Sequence, residues 1–455
     1  MHIYDFITDE FQYNLKARAY TGKTRFEEVI IEYKKIFFEN LRACNSDGIP
    51  TKLHSSLYEN TSVMNWLECS RTNIVEDIEI LESLFDEIIE GYFIFIRGKH
   101  HLAALRYQDL LDKYEIAIDD DVDRLGLFFR GFNIGTGSTR DKNDEKQYYH
   151  IPFNLRQLVG NQRFSFSGIP IIYIGASVAD IYFEFDEFDL NKTNMALASF
   201  AFNPIASITI HKDYETVKEK TKIFNITNEL YNLVNDAFLS LINNNVDLPS
   251  CTDMMYKPNH NDIKKYFKKF IISQLCTFPK QQTGLTFYEE YVIPQLFTEA
   301  LCLHKYDGII FPSTKFKDQK VTSTSAYHNL FYMENLAMFT TYNSENEYDD
   351  TLLANFNIEI LDLKEANSIN VPDVYQSIAT AQSNLSVEIH KKKDCRSKER
   401  LKTVVMALGK KLSNYDTLHI NENKYIETTA GRMELMYIEK YIEYLKSCIR
   451  NLNNA

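Results

Sequence analysis

Apolar residues recur at helical spacing through the first 118 positions. Phe26, Val29, Ile30, Tyr33, Ile36 and Phe37 form one stripe; Ile78, Leu81, Leu84 and Ile88 form a second. Leu102, Leu105, Leu110 and Leu111 form a third. Residues three and four apart share one face of an α-helix, so this spacing predicts a helical scaffold burying its own stripes. A docking surface for a regulator is the competing use of such stripes. His100 and His101 lie in this region without nearby partner ligands and read as surface residues. Asp119, Asp120, Asp121 and Asp123 form an acidic patch that reads as a solvated linker. The turn glycine and terminal glutamate of a calcium loop are missing from it.

From Leu125 the pattern changes. Residues 127–132 read as a strand with Arg130 between aromatic neighbours. A lone strand arginine is either solvent-facing or buried beside an anion. Residues 135–139 resemble a phosphate loop but lack its G-K-[ST] ending, and read as a polar loop. The most informative stretch is 161–187, NQRFSFSGIPIIYIGASVADIYFEFDE. Arg163 enters a short aromatic segment, and Gly168-Ile169-Pro170 makes a turn. The apolar run 169–175 reads as a buried strand. Ser177 reads as the N-cap of a helix carrying Asp180, Glu184 and Glu187.

Residues 196–210 hold β-formers on either side of an Asn-Pro break, which predicts two strands or one bent strand. A helical pattern covers 214–247 and a loop 248–261. A long helix is expected over 287–303, kinked or started by Pro294. Residues 306–313 give a turn, a buried strand and Ser313 at its end; 335–339 make a further short strand. After about residue 365 the chain turns polar and then basic, with 14 Lys and Arg against nine Asp and Glu over 388–450. Met433, Tyr437, Ile438, Tyr441, Leu445 and Ile449 form a stripe expected to pack a terminal helix on the core. The reading is an α+β fold: a helical region over 1–122, a mixed domain over 123–365 and a basic helical extension over 366–455.

Composition narrows the function classes. With 455 residues, 44% of them hydrophobic, the chain can bury a sizeable core. A net charge of −13 argues against broad nucleic-acid binding, which wants a positive surface. The seven cysteines form no C-x-x-C pair, which predicts a reducing compartment, no structural zinc and no disulfide scaffold. The start, MHIYDFITDEF, lacks a basic segment followed by an apolar one, so no signal peptide is expected. The densest apolar run in the first third of the chain, Tyr92–Ile96, is far short of a membrane span. The expectation is a cytoplasmic protein acting on something soluble.

Three blocks together resemble the RES domain family, named for its arginine, glutamate and serine. The first is Arg163-Phe164-Ser165, Gly168-Ile169-Pro170, Tyr173-Ile174-Gly175-Ala176-Ser177 and Glu184, eleven residues past Tyr173. The second is Glu290-Tyr291-Val292-Ile293-Pro294-Gln295. The third is Asp307-Gly308-Ile309-Ile310-Phe311-Pro312-Ser313 with Asn335-Leu336. Arg130 stands where the family has its first arginine, and the resemblance covers roughly 125–345. Gln162-Arg163-Phe164-Ser165 replaces the Gly-Arg-Trp/Phe-Asn of small members, and the stretch between Glu184 and Ser313 is longer.

The resemblance implies an ADP-ribosyltransferase-like core with helical flanks and NAD as substrate, with no metal. Arg163 and Arg130 would pair with the pyrophosphate, since a guanidinium gives paired charge-assisted hydrogen bonds. Glu184 would stabilise the oxocarbenium-like ribose formed when nicotinamide leaves, with Asp186 and Glu187 as rivals. Tyr173 would offer a ring to nicotinamide or ribose, and Ser313 a hydroxyl to ribose or phosphate. The implied activity is NAD degradation, by a glycohydrolase or phosphorylase acting as a toxin or antiviral defence effector. The alternatives are an ADP-ribosyltransferase modifying a protein, or a non-catalytic NAD sensor or scaffold. An antitoxin or other regulatory protein is the partner implied; a homo-oligomer is left open.

Overall fold

The helix Phe26–Arg42 carries Phe26, Val29, Ile30, Tyr33, Ile36, Phe37 and Leu41 along one side, and all are buried. Ile31, on the other side, is exposed. Each such side chain, fully buried, contributes about 1.5–3 kcal/mol. The structure is a computed structural model. It describes residues 1–45, 61–116, 120–121, 126–134, 140–204, 221–227, 260–315, 321–323, 334–391, 396–413, 415 and 417–451. Within 214–247 the described residues 221–227 hold a strand, Lys222–Asn225, where a helix is expected, because pairing in the sheet overrides the local helical pattern. The rest of 214–247, with 135–139 and the part of 196–210 beyond Pro204, lies outside these residues, as do Asp119 and Asp123. So does nearly all of the loop 248–261, whose last two residues open a helix instead.

The chain forms two compact units. The first comprises Met1–Ile118, Gly160–Phe166 and Phe224–Lys305. Its helices include Asp9–Tyr20, Phe26–Arg42, Ile78–Ile96, His100–Lys113, His260–Cys276 and Val292–Leu303. Rings of Tyr33, Phe37, Phe85 and Phe278 meet in its core, with Tyr33 and Phe278 edge-on at 5.1 Å. The third stripe needs correction. His100–Lys113 buries Ala103, Tyr107, Leu110 and Leu111, leaving Leu102 and Leu105 exposed. The buried face is set by Tyr107, whose hydroxyl donates to the Ile88 carbonyl at 2.9 Å. His100 and His101 are exposed, and His100 stacks on Phe95. The helix expected over 287–303 starts later. A single 3-10 turn, Glu289–Tyr291, leads into Val292–Leu303, with Pro294 in the first turn, where a missing N–H costs nothing.

The second unit comprises Asp119–Val159, Ser167–Ile223 and Tyr306–Ala455. The strands of the described residues are β1 (Asp120–Asp121), β2 (Leu127–Asn133), β3 (Ile171–Gly175), β4 (Met195–Phe202), β5 (Lys222–Asn225) and β6 (Gly308–Pro312). They continue with β7 (Val321–Ser323), β8 (Glu334–Phe339), β9 (Phe356–Ile360), β10 (Leu418–Ile420) and β11 (Asn423–Lys424). Eight form one sheet in the order β1-β5-β6-β8-β3-β2-β4-β9, and β11-β10-β7 form a small second sheet. β6 and β3 both pair antiparallel with β8, and β2 pairs antiparallel with β3 and β4.

β4 is buried at every position, as a strand covered on both faces must be. On one face Phe128, Phe132, Ile172, Ile174, Ile310, Leu336 and Met338 pack together. On the other, Leu127, Phe129, Leu197 and Ala201 meet helix Val178–Glu184 and the C-terminal helices Val371–His390, Arg396–Ser413 and Thr429–Asn451. The terminal stripe packs as its spacing requires. Tyr437 donates to the Leu197 carbonyl at 2.7 Å and Tyr441 to that of Phe202 at 3.0 Å. The fold class is α+β.

Candidate active site

β3 ends in a residue without a side chain, and that opens the site. The strand expected over 169–175 begins at Ile171, after a turn in which Gly168 takes a φ of +83°. Across the sheet, Phe129, Gly175, Asn335 and Phe311 form one rung. Strand alternation puts Tyr173, Gly175, Asn335 and Phe311 on the face that helix Val178–Glu184 covers. A Cβ on Gly175 would lie 2.9 Å from Asp180 Cβ and 3.3 Å from Asn335 Oδ1. Glycine therefore lets the helix close onto the strand end.

Ser177 is the N-cap, with extended backbone and its Oγ accepting from the Asp180 N–H at 3.0 Å. The helix stops at Glu184. Glu187 is not on it: Asp186 turns the chain with a φ of +54°, and Glu187 pairs with Lys192 at 2.7 Å. Lys192 holds the Glu187 carboxyl below its usual range.

Glu184, exposed at the helix end, accepts a hydrogen bond at Oε1 from Asn335 Nδ2 at 3.2 Å. Ser313 follows β6 and is buried; its Oγ accepts from the Lys315 N–H at 3.3 Å. Lys315 Nζ in turn pairs with Asp186 Oδ1 at 2.5 Å. The loop after β6 is thus tied to the turn after Glu184. Tyr173 meets Phe311 edge-on at 6.5 Å. The structure brings Glu184 and Ser313 to one end of three neighbouring strands, β3, β8 and β6, with Tyr173 in the middle of β3 on the same face. Asn335 stood in the third sequence block without a role, and the structure supplies its contact with Glu184. Its signal in the sequence was a polar residue heading an otherwise apolar strand.

Asp180 lies beneath this group, fully buried. Ser177 Oγ donates to its Oδ2 at 3.2 Å, and Oδ1 has no hydrogen-bond partner among the described residues. Burial, and then the negative charge of Glu184, push the Asp180 carboxyl well above its usual range.

The two arginines stand apart from this arrangement in different ways. Arg130 pairs with Ala198 in the β2–β4 register and shares the opposite sheet face with Phe128 and Phe132. Its Nη1 is buried and has no hydrogen-bond partner among the described residues. Burial, then the charge of Arg140, bring its pKa down to about 10. The sheet does not bring Arg130 to the face of Glu184.

Arg163 belongs to the first unit. Its Nη1 donates to the carbonyls of Cys276 and Phe278 at 2.9 and 3.0 Å, and the guanidinium lies over the Tyr291 ring. It thereby supplies a positive charge to the end of helix His260–Cys276, where carbonyls lack partners. Gln295 Nε2 donates to the carbonyls of Gln162 and Ser165 at 2.7 and 3.1 Å. Two of the three sequence blocks thus meet physically, around Arg163.

Among the described residues no group of three His, Cys, Asp or Glu side chains is placed to hold a metal ion, and no helix is long and apolar enough to cross a membrane. Fold and site together define an α+β protein whose exposed carboxylate is oriented by a strand-end amide. A protein of Bacillus subtilis (strain 168) named "Putative toxin YopC" is 22% identical over 260 residues, 55% of this chain and 52% of that protein. The chain therefore spans about half the length of this relative. No family model matches the chain, and no solved structure matches it.

Proposed function

We propose that this protein breaks the nicotinamide–ribose bond of NAD and acts as a toxin, on a core related to the ADP-ribosyltransferases. The observation that carries the reading is the Asn335–Glu184 hydrogen bond beside the Ser313 loop. It joins the glutamate to the strand that follows the serine in the RES resemblance, and the Lys315–Asp186 pair ties the serine loop to the turn after the glutamate. The similarity to a protein named as a toxin supports the biological role.

In this reading Glu184 faces the ribose as nicotinamide leaves. Its charge stabilises the oxocarbenium-like carbon, and Asn335 fixes the carboxylate plane so that no reorientation is needed during the reaction. Ser313 and Tyr173 contact the ribose and the nicotinamide ring. Arg163 is a structural residue of the first unit, its Nη1 anchored on the Cys276 and Phe278 carbonyls. Arg130, on the other sheet face, has no part in the chemistry.

Purified protein incubated with NAD should release nicotinamide, followed by mass spectrometry with and without inorganic phosphate. Free ADP-ribose identifies water as the acceptor, a phosphorylated ADP-ribose identifies phosphate, and a mass increase on a protein identifies a side chain. No nicotinamide under any of these conditions would overturn the proposal.

A further inference from the structure

The C-terminal extension reaches the strand–helix junction with a buried ion pair. Glu434 is 0% exposed and Lys411 is 7% exposed. Their side chains pair at 2.8 Å. Lys411 Nζ also donates to the Ala176 carbonyl at 2.6 Å. Glu434 Oε2 accepts from the Val178 N–H at 2.8 Å and from the Tyr425 hydroxyl at 2.7 Å. The same Tyr425 oxygen accepts from the Ala179 N–H at 3.2 Å. The Ala176 carbonyl and the Val178 and Ala179 N–H groups are thus held by residues more than 230 positions along the chain.

We propose that Glu434 and Lys411 are positioning residues for Glu184, acting through helix Val178–Glu184. The inference rests on the reading of Glu184 as the reacting carboxylate. The helix has only seven residues, too few to be stable by itself. Its orientation must come from what holds its two ends. Asn335 grips the C-terminal end through Glu184, and the ion pair grips the junction at the other. A rotation about either end moves the Glu184 carboxylate relative to Ser313 and Tyr173.

The choice of side chains supports this. A buried ion pair is a poor way to gain stability, since an apolar pair of equal volume does as well or better. What it adds here is direction: a carboxylate that accepts two hydrogen bonds and an ammonium that reaches a carbonyl define one geometry of the junction. Packing alone would tolerate several.

The test compares Glu434→Gln, the uncharged double variant Glu434→Gln/Lys411→Met, and Tyr425→Phe. The double variant removes both buried charges together and so keeps a folded protein within reach, and Tyr425→Phe deletes a single hydroxyl. Each is measured for nicotinamide release and for amide hydrogen exchange across 176–184. The proposal expects kcat to fall about 10–100-fold in the double variant with KM changed less than about threefold, the mark of lost alignment rather than lost binding. It expects faster exchange at Val178 and Ala179 with unchanged exchange in β4. Tyr425→Phe should show the same pattern more weakly.

Unchanged exchange at Val178 and Ala179, or wild-type kcat in a double variant whose junction exchanges faster, would overturn it. If the wild-type protein releases no nicotinamide, the functional reading fails. The exchange measurement still decides whether Glu434 and Lys411 hold the helix.

Discussion

At the scale of single residues, the three acidic side chains around the helix end have separate fates. Glu187 is neutralised by Lys192, Asp186 by Lys315, and Glu184 is turned to Asn335. Glu184→Gln keeps the shape and removes the charge. If that charge contributes about 3–4 kcal/mol to the transition state, turnover of NAD should fall roughly 10²–10³-fold with little change in NAD affinity. Glu187→Gln should leave turnover near wild type. Steady-state nicotinamide release, with folding checked by circular dichroism, separates the two; the reverse pattern would unseat Glu184.

Asp180 makes a prediction about pH. Its folded pKa lies above its ordinary value of 3.8, so the folded chain keeps a proton that the unfolded chain releases. The stability it lends is complete below pH 3.8 and is lost as pH rises toward the folded pKa. Asp180→Asn keeps the neutral shape and abolishes that loss. At pH 7 the variant should melt higher than wild type, by about 2–4 °C for each kcal/mol regained, and the gap should close toward pH 4. Calorimetry across that range checks it; an unchanged gap would show that Asp180 titrates normally.

At the scale of elements, the critical contact is helix Val178–Glu184 against the end of β3. Gly175→Ala would place a Cβ 2.9 Å from Asp180 Cβ, on a helix held at both ends. One of the two elements must move. Overpacking of this kind costs about 1–3 kcal/mol, and here the movement also displaces Glu184. Urea unfolding should show the stability loss, and nicotinamide release should fall more than the loss of folded protein accounts for. A variant as stable and active as wild type would mean the helix sits less tightly than the geometry indicates.

At the scale of the molecule, the C-terminal extension of the second unit is part of its core. Leu401, Leu408, Met433, Tyr437, Tyr441 and Leu445 are buried in the same cluster as Leu127, Phe129 and Leu197 of the sheet. Deleting 385–455 would uncover that face and strip the junction of Glu434, Lys411 and Tyr425. The truncated protein should aggregate or lose its cooperative transition rather than become a deregulated enzyme. Circular dichroism melting and size-exclusion chromatography read the outcome. A monomeric truncation with a sharp transition would mean that the extension is dispensable for the fold.

The parts of this protein that the sequence by itself determined are the local ones. Stripes at Phe26 to Phe37 and Met433 to Ile449, the apolar runs of β3 and β6, and the Ser177 cap follow from spacing and backbone chemistry within a few residues. Those signals sufficed for an α+β class and for a helix carrying Glu184 after β3; the choice of Glu184 over its acidic neighbours came from the resemblance, and the helix ends before Glu187. Tertiary structure decided the rest, because strand pairing and burial join positions far apart. Asn335 meets Glu184 across 151 positions, and nothing near either residue encodes the register that aligns them. Arg130 lies between aromatic neighbours, but which sheet face it takes depends on how β2 pairs with β3 and β4. Glu434 sits inside an apolar stripe, where a carboxylate reads as surface until its partners are known. Its burial is tolerable only because Lys411, Tyr425 and the Val178 N–H come from three other segments to meet it, and only the folded chain brings them there.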